Sequence, residues 1–357
     1  MRRLIGLMLA LAMVVGMLPM TVLAAPEDRG PNTVAVWVGG VQMENDRYLP
    51  AGSDTLTRHR PRDGGYAHYE NGVLILHDYE YEGEGYAYPS TDSLPVTGNS
   101  AAVYSEVALR ILLEGSNSLK LTASEGEAIT QNVDGAELRL ESRENGELHL
   151  QAPSGISVDL GSVRFDSGTM TITAEQGIGV NTSTGVTING GSVTIEAEQN
   201  GLWGREMHIG ACSLDVKSLN TEEDDRYCAI WCQELSLDSD GMVLQASMEP
   251  DGALGSYTAD SLASYDRIVA AEADVSIDGI GLMDRDYLAT GADAVTNVQP
   301  ESGGYAYYED GVPLVLIALD GFADFHRHVS VFSVILNHCF PPSRLNRPVR
   351  RSLCIRP

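Results

Sequence analysis

The chain has 357 residues, with 50 acidic against 23 basic side chains and a formal net charge of −27. Two of the basic residues lie in the leader and six in the last 33 residues, so residues 25–324 hold all 50 acids and only 15 bases. That balance excludes nucleic acid as a partner, because a phosphate-binding surface needs clustered Lys and Arg. It favours solubility and affinity for cations, and with three cysteines before the tail there is no even-numbered disulfide framework.

The chain opens with Arg2 and Arg3, an apolar stretch from Leu4 to Met20, and the small-residue site Val22-Leu23-Ala24. This pattern predicts a signal peptide over 1–24, and hence a secreted, extracellular or cell-surface protein. An uncleaved anchor is the alternative, but the run is short for a bilayer and interrupted by Pro19. No membrane insertion of the mature protein is expected.

Residues 33–104 read as an entry module with the first strands, leading through Leu74-Ile75-Leu76 into a repeat. The repeat has the form apolar-x-apolar-x-small. It runs through Leu119-Lys-Leu121-Thr-Ala123, Leu148-His-Leu150-Gln-Ala152, Met170-Thr-Ile172-Thr-Ala174, Val193-Thr-Ile195-Glu-Ala197 and Leu214-Asp-Val216-Lys-Ser218. Met242-Val-Leu244-Gln-Ala246 is a looser sixth copy. The small residues are 29, 22, 23, 21 and 28 positions apart, near the length of one solenoid coil. Alternation buries every second residue, so one coil cannot fold alone and must stack on its neighbours. The expected fold is all-β, a right-handed parallel β-helix over 105–270. A β-sandwich is the alternative. Glycine pairs in the turns are read as positions of positive φ.

The entry module returns 239 residues later. Val36, Tyr48-Leu49, Gly64-Gly65-Tyr66-Ala67 and Tyr69-Glu70 recur as Val275, Tyr287-Leu288, Gly303-Gly304-Tyr305-Ala306 and Tyr308-Glu309. Residues 271–322 are therefore expected to be a second copy whose own solenoid has been lost. Residues 323–357 turn abruptly basic, with six Arg and, after Asp324, no acid; the expectation is a frameshifted or foreign end, with a basic interaction tail as the alternative.

The run from Gly115-Ser-Asn-Ser-Leu119 through Gly155-Ile156, Gly168-Thr-Met-Thr-Ile172, Gly177-Ile178 and Gly190-Gly-Ser-Val-Thr-Ile195 resembles the β-helical carbohydrate-binding domain of secreted and surface proteins of Gram-positive bacteria. The resemblance covers about residues 105–247. It implies a right-handed β-helix, an acidic plant polysaccharide such as polygalacturonate as ligand, and structural calcium. Its motif is mostly turn glycine and core strand, which speaks to fold more than to ligand.

The coil register singles out one surface. Ala128-Ile129, Gly155-Ile156, Gly177-Ile178, Gly201-Leu202 and Ala229-Ile230 follow successive strand pairs. If the apolar residue points inward, the next points outward, giving the row Thr130, Ser157, Gly179, Trp203 and Trp231. Two positions on lies a second outward row, Asn132, Asp159, Asn181, Arg205 and Gln233. Trp203 and Trp231 are expected to form a platform for sugar rings, with Asp159, Asn181, Arg205 and Gln233 bonding hydroxyls or carboxylates; two buried indoles are the alternative.

Calcium is the one cofactor expected, and no organic cofactor. Its candidate ligands are Asp224 and Asp225 within Glu222-Glu-Asp-Asp225, and Asp238 with Asp240; Glu125-x-Glu127 has the same character. The histidines at 59, 68, 77, 149 and 208 show no catalytic spacing, and no nucleophile elbow or zinc motif is present. The expectation is a non-enzymatic, monomeric protein that binds a polysaccharide or cell-wall glycan, with calcium assisting an acidic ligand. A surface spacer or adhesin without sugar affinity is one alternative, and a β-helix lyase or hydrolase another.

Overall fold

A computed structural model of the chain describes residues 33–89, 99–220, 227–237, 242–256 and 264–272, and beyond these the strand segments 275–277, 280–282, 287–289, 305–309 and 312–316. The described residues form no α-helix. They build stacked parallel coils, a β-solenoid with three long ladders.

The first ladder, sheet I, stacks Ser100–Ser105, Glu127–Gln131, Ser154–Val158, Val180–Thr182, Leu202–Trp203 and Ile230–Trp231 in parallel. Sheet II stacks Val73–His77, Arg110–Glu114, Glu137–Ser142, Ser162–Phe165, Gly185–Ile188, Glu206–Ile209 and Glu234–Leu237. Sheet III stacks Glu80–Gly83, Ser116–Leu121, Glu147–Ala152, Thr169–Ala174, Ser192–Ala197 and Ser213–Ser218. Each rung visits sheet II, then III, then I. Five rungs run from Arg110 to Trp231, preceded by an opening rung that begins at Val73. The parallel ladder thus starts well before residue 105, because Val73–His77 and Glu80–Gly83 already pair with the next rung.

Alternation explains why these segments stack. Leu140, Phe165, Ile188 and Ile209 form one inward column, and Leu150, Ile172, Ile195 and Val216 another, all essentially unexposed. Each rung supplies half its strand residues to a shared interior that no rung could enclose alone. The outward faces hold Ser, Thr and charged residues.

Two details of the repeat differ from expectation. In the first copy, Leu119 stacks on Leu150 and Asn117 on Leu148, a shift of two residues. Asn117 enters the core because it is fully satisfied: its Oδ1 accepts from the Tyr79 amide at 2.9 Å, and its Nδ2 donates to carbonyls of Glu114 and Glu147. The sixth copy does not extend the stack. Arg267–Glu272 lies antiparallel on Ser213–Ser218 and separates it from Met242–Ser247. The Arg267 guanidinium grips Asp215 with two hydrogen bonds of 3.0 and 2.7 Å, which locks this closing strand down.

The glycines at the corner between sheets III and I also have a different cause from positive φ. Gly155, Gly179 and Gly201 occupy one column, and none has a positive φ. A Cβ on Gly179 would lie 2.3 Å from the Ile195 Cγ2 and 2.5 Å from the Gly201 carbonyl oxygen. Close approach of the next rung, not backbone handedness, excludes a side chain there.

The opposite end is closed by the entry module. Thr33–Val38 pairs antiparallel with Ser100–Ser105 on sheet I, while Arg47–Pro50, Tyr66–Glu70 and Val73–His77 form an antiparallel meander on sheet II.

The chain divides into two compact units, the first reaching Ala253 and including 258–271, the second formed by 254–257 and 272–357. Within the second unit the duplication extends to strand register. Tyr48 opposite His68 is repeated as Tyr287 opposite Tyr307, and the edge-on Tyr48–Tyr66 contact of 5.3 Å as Tyr287–Tyr305 at 5.4 Å. One difference matters. Amides of Arg110 and Asp78 bond the Gly72 and Glu114 carbonyls, so by alternation the Leu74 amide also faces the next rung. Its counterpart is Pro313, which has no amide to donate at that edge.

Replacing Gly179 with Ala is expected to lower stability by about 1–3 kcal/mol, through overpacking against backbone that cannot yield. Thr194→Ala, on the outer face, serves as the near-neutral control in the same urea titration.

Candidate functional site

The outer face of sheet I is read directly from its ladder. Thr130 pairs with Ser157, Ser157 with Asn181, Asn181 with Trp203, and Trp203 with Trp231. The outward row is therefore Thr130, Ser157, Asn181, Trp203, Trp231. Asn181, and not Gly179, occupies the third rung, because Gly179-Val180 rather than Gly177-Ile178 matches Gly155-Ile156. Asn181 therefore leaves the second row for the first, while Arg205 and Gln233 remain neighbours across the last two rungs at the corner with sheet II.

Trp203 and Trp231 are half-buried and stack face to face, with ring centroids 4.0 Å apart and planes inclined by 9°. A rung spacing near 4.8 Å brings the two side chains almost into van der Waals contact, and the rings lean together to complete it. Their inner faces are covered by each other. The pair is thus a short stack presenting its outer margin, not two coplanar rings side by side.

Arg205 Nε donates to Gln233 Oε1 at 3.4 Å across the same two rungs. Both are exposed, and among the described residues Arg205 forms no ion pair. The structure therefore brings Trp203, Trp231, Arg205 and Gln233 together, puts Asn181 beside Trp203 in the aromatic row, and leaves Asp159 two rungs away from Arg205.

Around the corner, sheet II adds residues that the sequence reading did not select. Glu206 stacks on Glu234, and His208 on Ser236, with His208 Nδ1 3.0 Å from Ser236 Oγ. The signal was available: Trp203-Gly-Arg-Glu-Met-His-Ile209 and Trp231-Cys-Gln-Glu-Leu-Ser-Leu237 are consecutive copies of one seven-residue pattern.

A second aromatic group sits at the far end of sheet I. Trp37 stacks on Tyr86 at 4.5 Å and Tyr88 on Tyr104 at 4.7 Å, largely out of solvent. The Tyr88 hydroxyl and the Thr130 hydroxyl both donate to the Glu127 carboxylate. Burial raises the Glu127 pKa above its ordinary 4.5, opposed by those two donors. Burial also raises that of Tyr88, reinforced by the neighbouring Glu127 charge. This group covers the end of the sheet, with both donors on Oε2 of Glu127.

Of the expected calcium ligands, Asp224, Asp225, Asp238 and Asp240 lie outside the described residues. Among the described residues no group of three or more His, Cys, Asp or Glu is arranged to hold a metal. Cys212, Cys228 and Cys232 form no disulfide among the described residues, and Cys232 is only partly buried. Burial pushes the Cys228 thiol up to about 12 and that of Cys232 to about 11, which keeps both protonated and poorly nucleophilic at neutral pH.

Compared with known proteins, the chain matches no family model, no curated protein and no solved structure.

Glu127 yields a prediction with a defined sign. Its folded-state pKa lies above the unfolded value, so the unfolded chain gives up this proton first and the ionised group costs stability as pH rises through that interval. The melting-temperature advantage of Glu127→Gln over the parent should therefore grow as pH rises from about 4 to neutrality and then level off. A difference that is flat with pH contradicts the assignment.

Proposed function

We propose that the protein is an extracellular or cell-surface glycan-binding β-solenoid, and that Trp203 and Trp231 are the apolar centre of its binding surface. The observation that carries this reading is the placement of the indoles. On the two preceding solenoid rungs the same outward row holds Ser157 and Asn181, polar residues suited to water, and before them Thr130, whose hydroxyl is buried against Glu127. On the last two it holds two large aromatic side chains that the core has no part in. Amphipathic aromatic edges beside fixed hydrogen-bonding groups suit a sugar, which offers C–H patches bordered by hydroxyls. Arg205 and Gln233, held in line by their mutual hydrogen bond, supply donors and an acceptor two residues away along each rung.

The scaffold suits this role. Side chains mounted on paired strands keep their spacing better than side chains on loops, and a ligand met by pre-positioned groups loses less freedom on binding. The leader, read as an export signal, would deliver the chain to where glycans are found. The acidic excess keeps such a protein dispersed.

The double variant Trp203→Ala/Trp231→Ala should lose at least about tenfold in affinity on native gels cast with polysaccharide, given about 0.5–1.5 kcal/mol for each aromatic contact beyond its area. Its strand content by circular dichroism should stay that of the parent. Undiminished retardation of the folded variant would refute the assignment of the site.

A further inference from the structure

The chemistry of the corner says which glycan this surface is built to take, and the step rests on the binding reading above. Two consecutive rungs present the same four outward positions, Trp203, Arg205, Glu206 and His208 on one, and Trp231, Gln233, Glu234 and Ser236 on the next. From Trp to Glu is three residues, at most roughly 10 Å of extended chain, about the length of a disaccharide. The two exposed carboxylates lie one rung apart with no cation between them. Among the described residues neither makes a side-chain hydrogen bond or ion pair. The patch therefore offers one cation, Arg205, against two anions, on a chain whose residues 25–324 hold 50 acids and 15 bases.

Sheet II does carry a row of three arginines, Arg110, Arg139 and Arg164, stacked on consecutive rungs. These are not free to receive an anionic ligand. Arg110 and Arg139 both pair with Glu141, and Arg139 and Arg164 both pair with Asp166. Burial of Asp166 is outweighed by hydrogen bonds from Asn189 and Arg164, so its pKa falls and the ladder stays ionised. The cations of this face are consumed in holding its rungs together.

We infer that the ligand is an uncharged glycan whose vicinal hydroxyls donate to the Glu206 and Glu234 carboxylates while the indole stack meets its C–H surface. A carboxylate accepts two hydrogen bonds side by side, which matches the two hydroxyls of a vicinal diol. A polyuronate brings instead a row of acceptors and like charges to acceptors already negative, and electrostatic complementarity is lost.

The test is native affinity electrophoresis of the full chain at low salt in gels containing hydroxyethyl cellulose, xylan, polygalacturonate or chitosan, with Trp203→Ala/Trp231→Ala and Glu206→Ala/Glu234→Ala run alongside. The expected result is retardation by a neutral glycan at least about tenfold stronger than by polygalacturonate, reduced about tenfold or more in each double variant. Tight binding of polygalacturonate that needs the tryptophans would overturn the ligand class and leave the binding surface standing. So would a preference for chitosan over both neutral polymers. Retention by a neutral glycan that neither double variant weakens would move the site elsewhere and overturn this inference. Retention by none of the four polymers would overturn the glycan reading itself.

Discussion

The structure depends on in-register stacking of short parallel strands. Backbone hydrogen bonds run from rung to rung, so each strand is satisfied only by its neighbours, and the inward columns such as Leu140, Phe165, Ile188 and Ile209 close only when the registers agree. A slip of one residue would turn every apolar side chain outward. The corner column of Gly155, Gly179 and Gly201 tightens the same constraint, because the next rung's carbonyl occupies the space a Cβ needs. Both ends of the stack must then be managed. Thr33–Val38 and the entry meander cover one, and Arg267–Glu272, fastened through Asp215, covers the third sheet at the other. Such covering limits edge-to-edge association, the hazard of any open ladder.

Once the register is fixed, the outer faces become ruled surfaces in which a residue's neighbours along the stack are set by the backbone. Like side chains are thereby brought together whether or not they attract one another. The solenoid turns this to different ends on different faces. On sheet II, three stacked arginines would repel, but interleaving with Glu141 and Asp166 converts the row into a continuous ion network. On sheet I, two half-buried indoles on the outward row attract by their faces. Where the two sheets meet, Glu206 and Glu234 are stacked without such compensation. A surface that holds two like charges side by side, next to aromatic rings and aligned polar groups, has unmet hydrogen-bonding capacity, and hydroxyl donors fit it.

The duplicated module shows the same logic at the level of whole elements. Both copies fold to the same hairpin and meander with equal registers, down to the tyrosine contact. In the first copy the exit strand passes its hydrogen bonds on to a solenoid rung. In the second, Pro313 stands where Leu74 would donate, so that strand is a poorer template for a following rung. One amino-acid difference at that edge thus removes a backbone donor that the first copy possesses.

The sequence by itself determined the class of fold and the side each residue faces, because alternation of apolar and polar residues sets inward and outward parity without reference to any partner. It also determined that Trp203 and Trp231 share a row, since the two segments carrying them are copies of one pattern. It did not determine which residues share a rung. The reading slipped by two at Asn117 and again at Gly179, and a slip of two keeps parity while changing neighbours. At Asn117 an asparagine stands where the repeat has an apolar residue, and Gly177-Ile178 and Gly179-Val180 offer the same small-apolar pattern two residues apart. Only the tertiary structure decided the neighbours, and with them the place of Asn181 beside Trp203, the face-to-face indole contact and the Glu206–Glu234 pair. The physical reason is that register is chosen by the fit of whole rungs against one another, an interaction between segments more than twenty residues apart that no local pattern encodes.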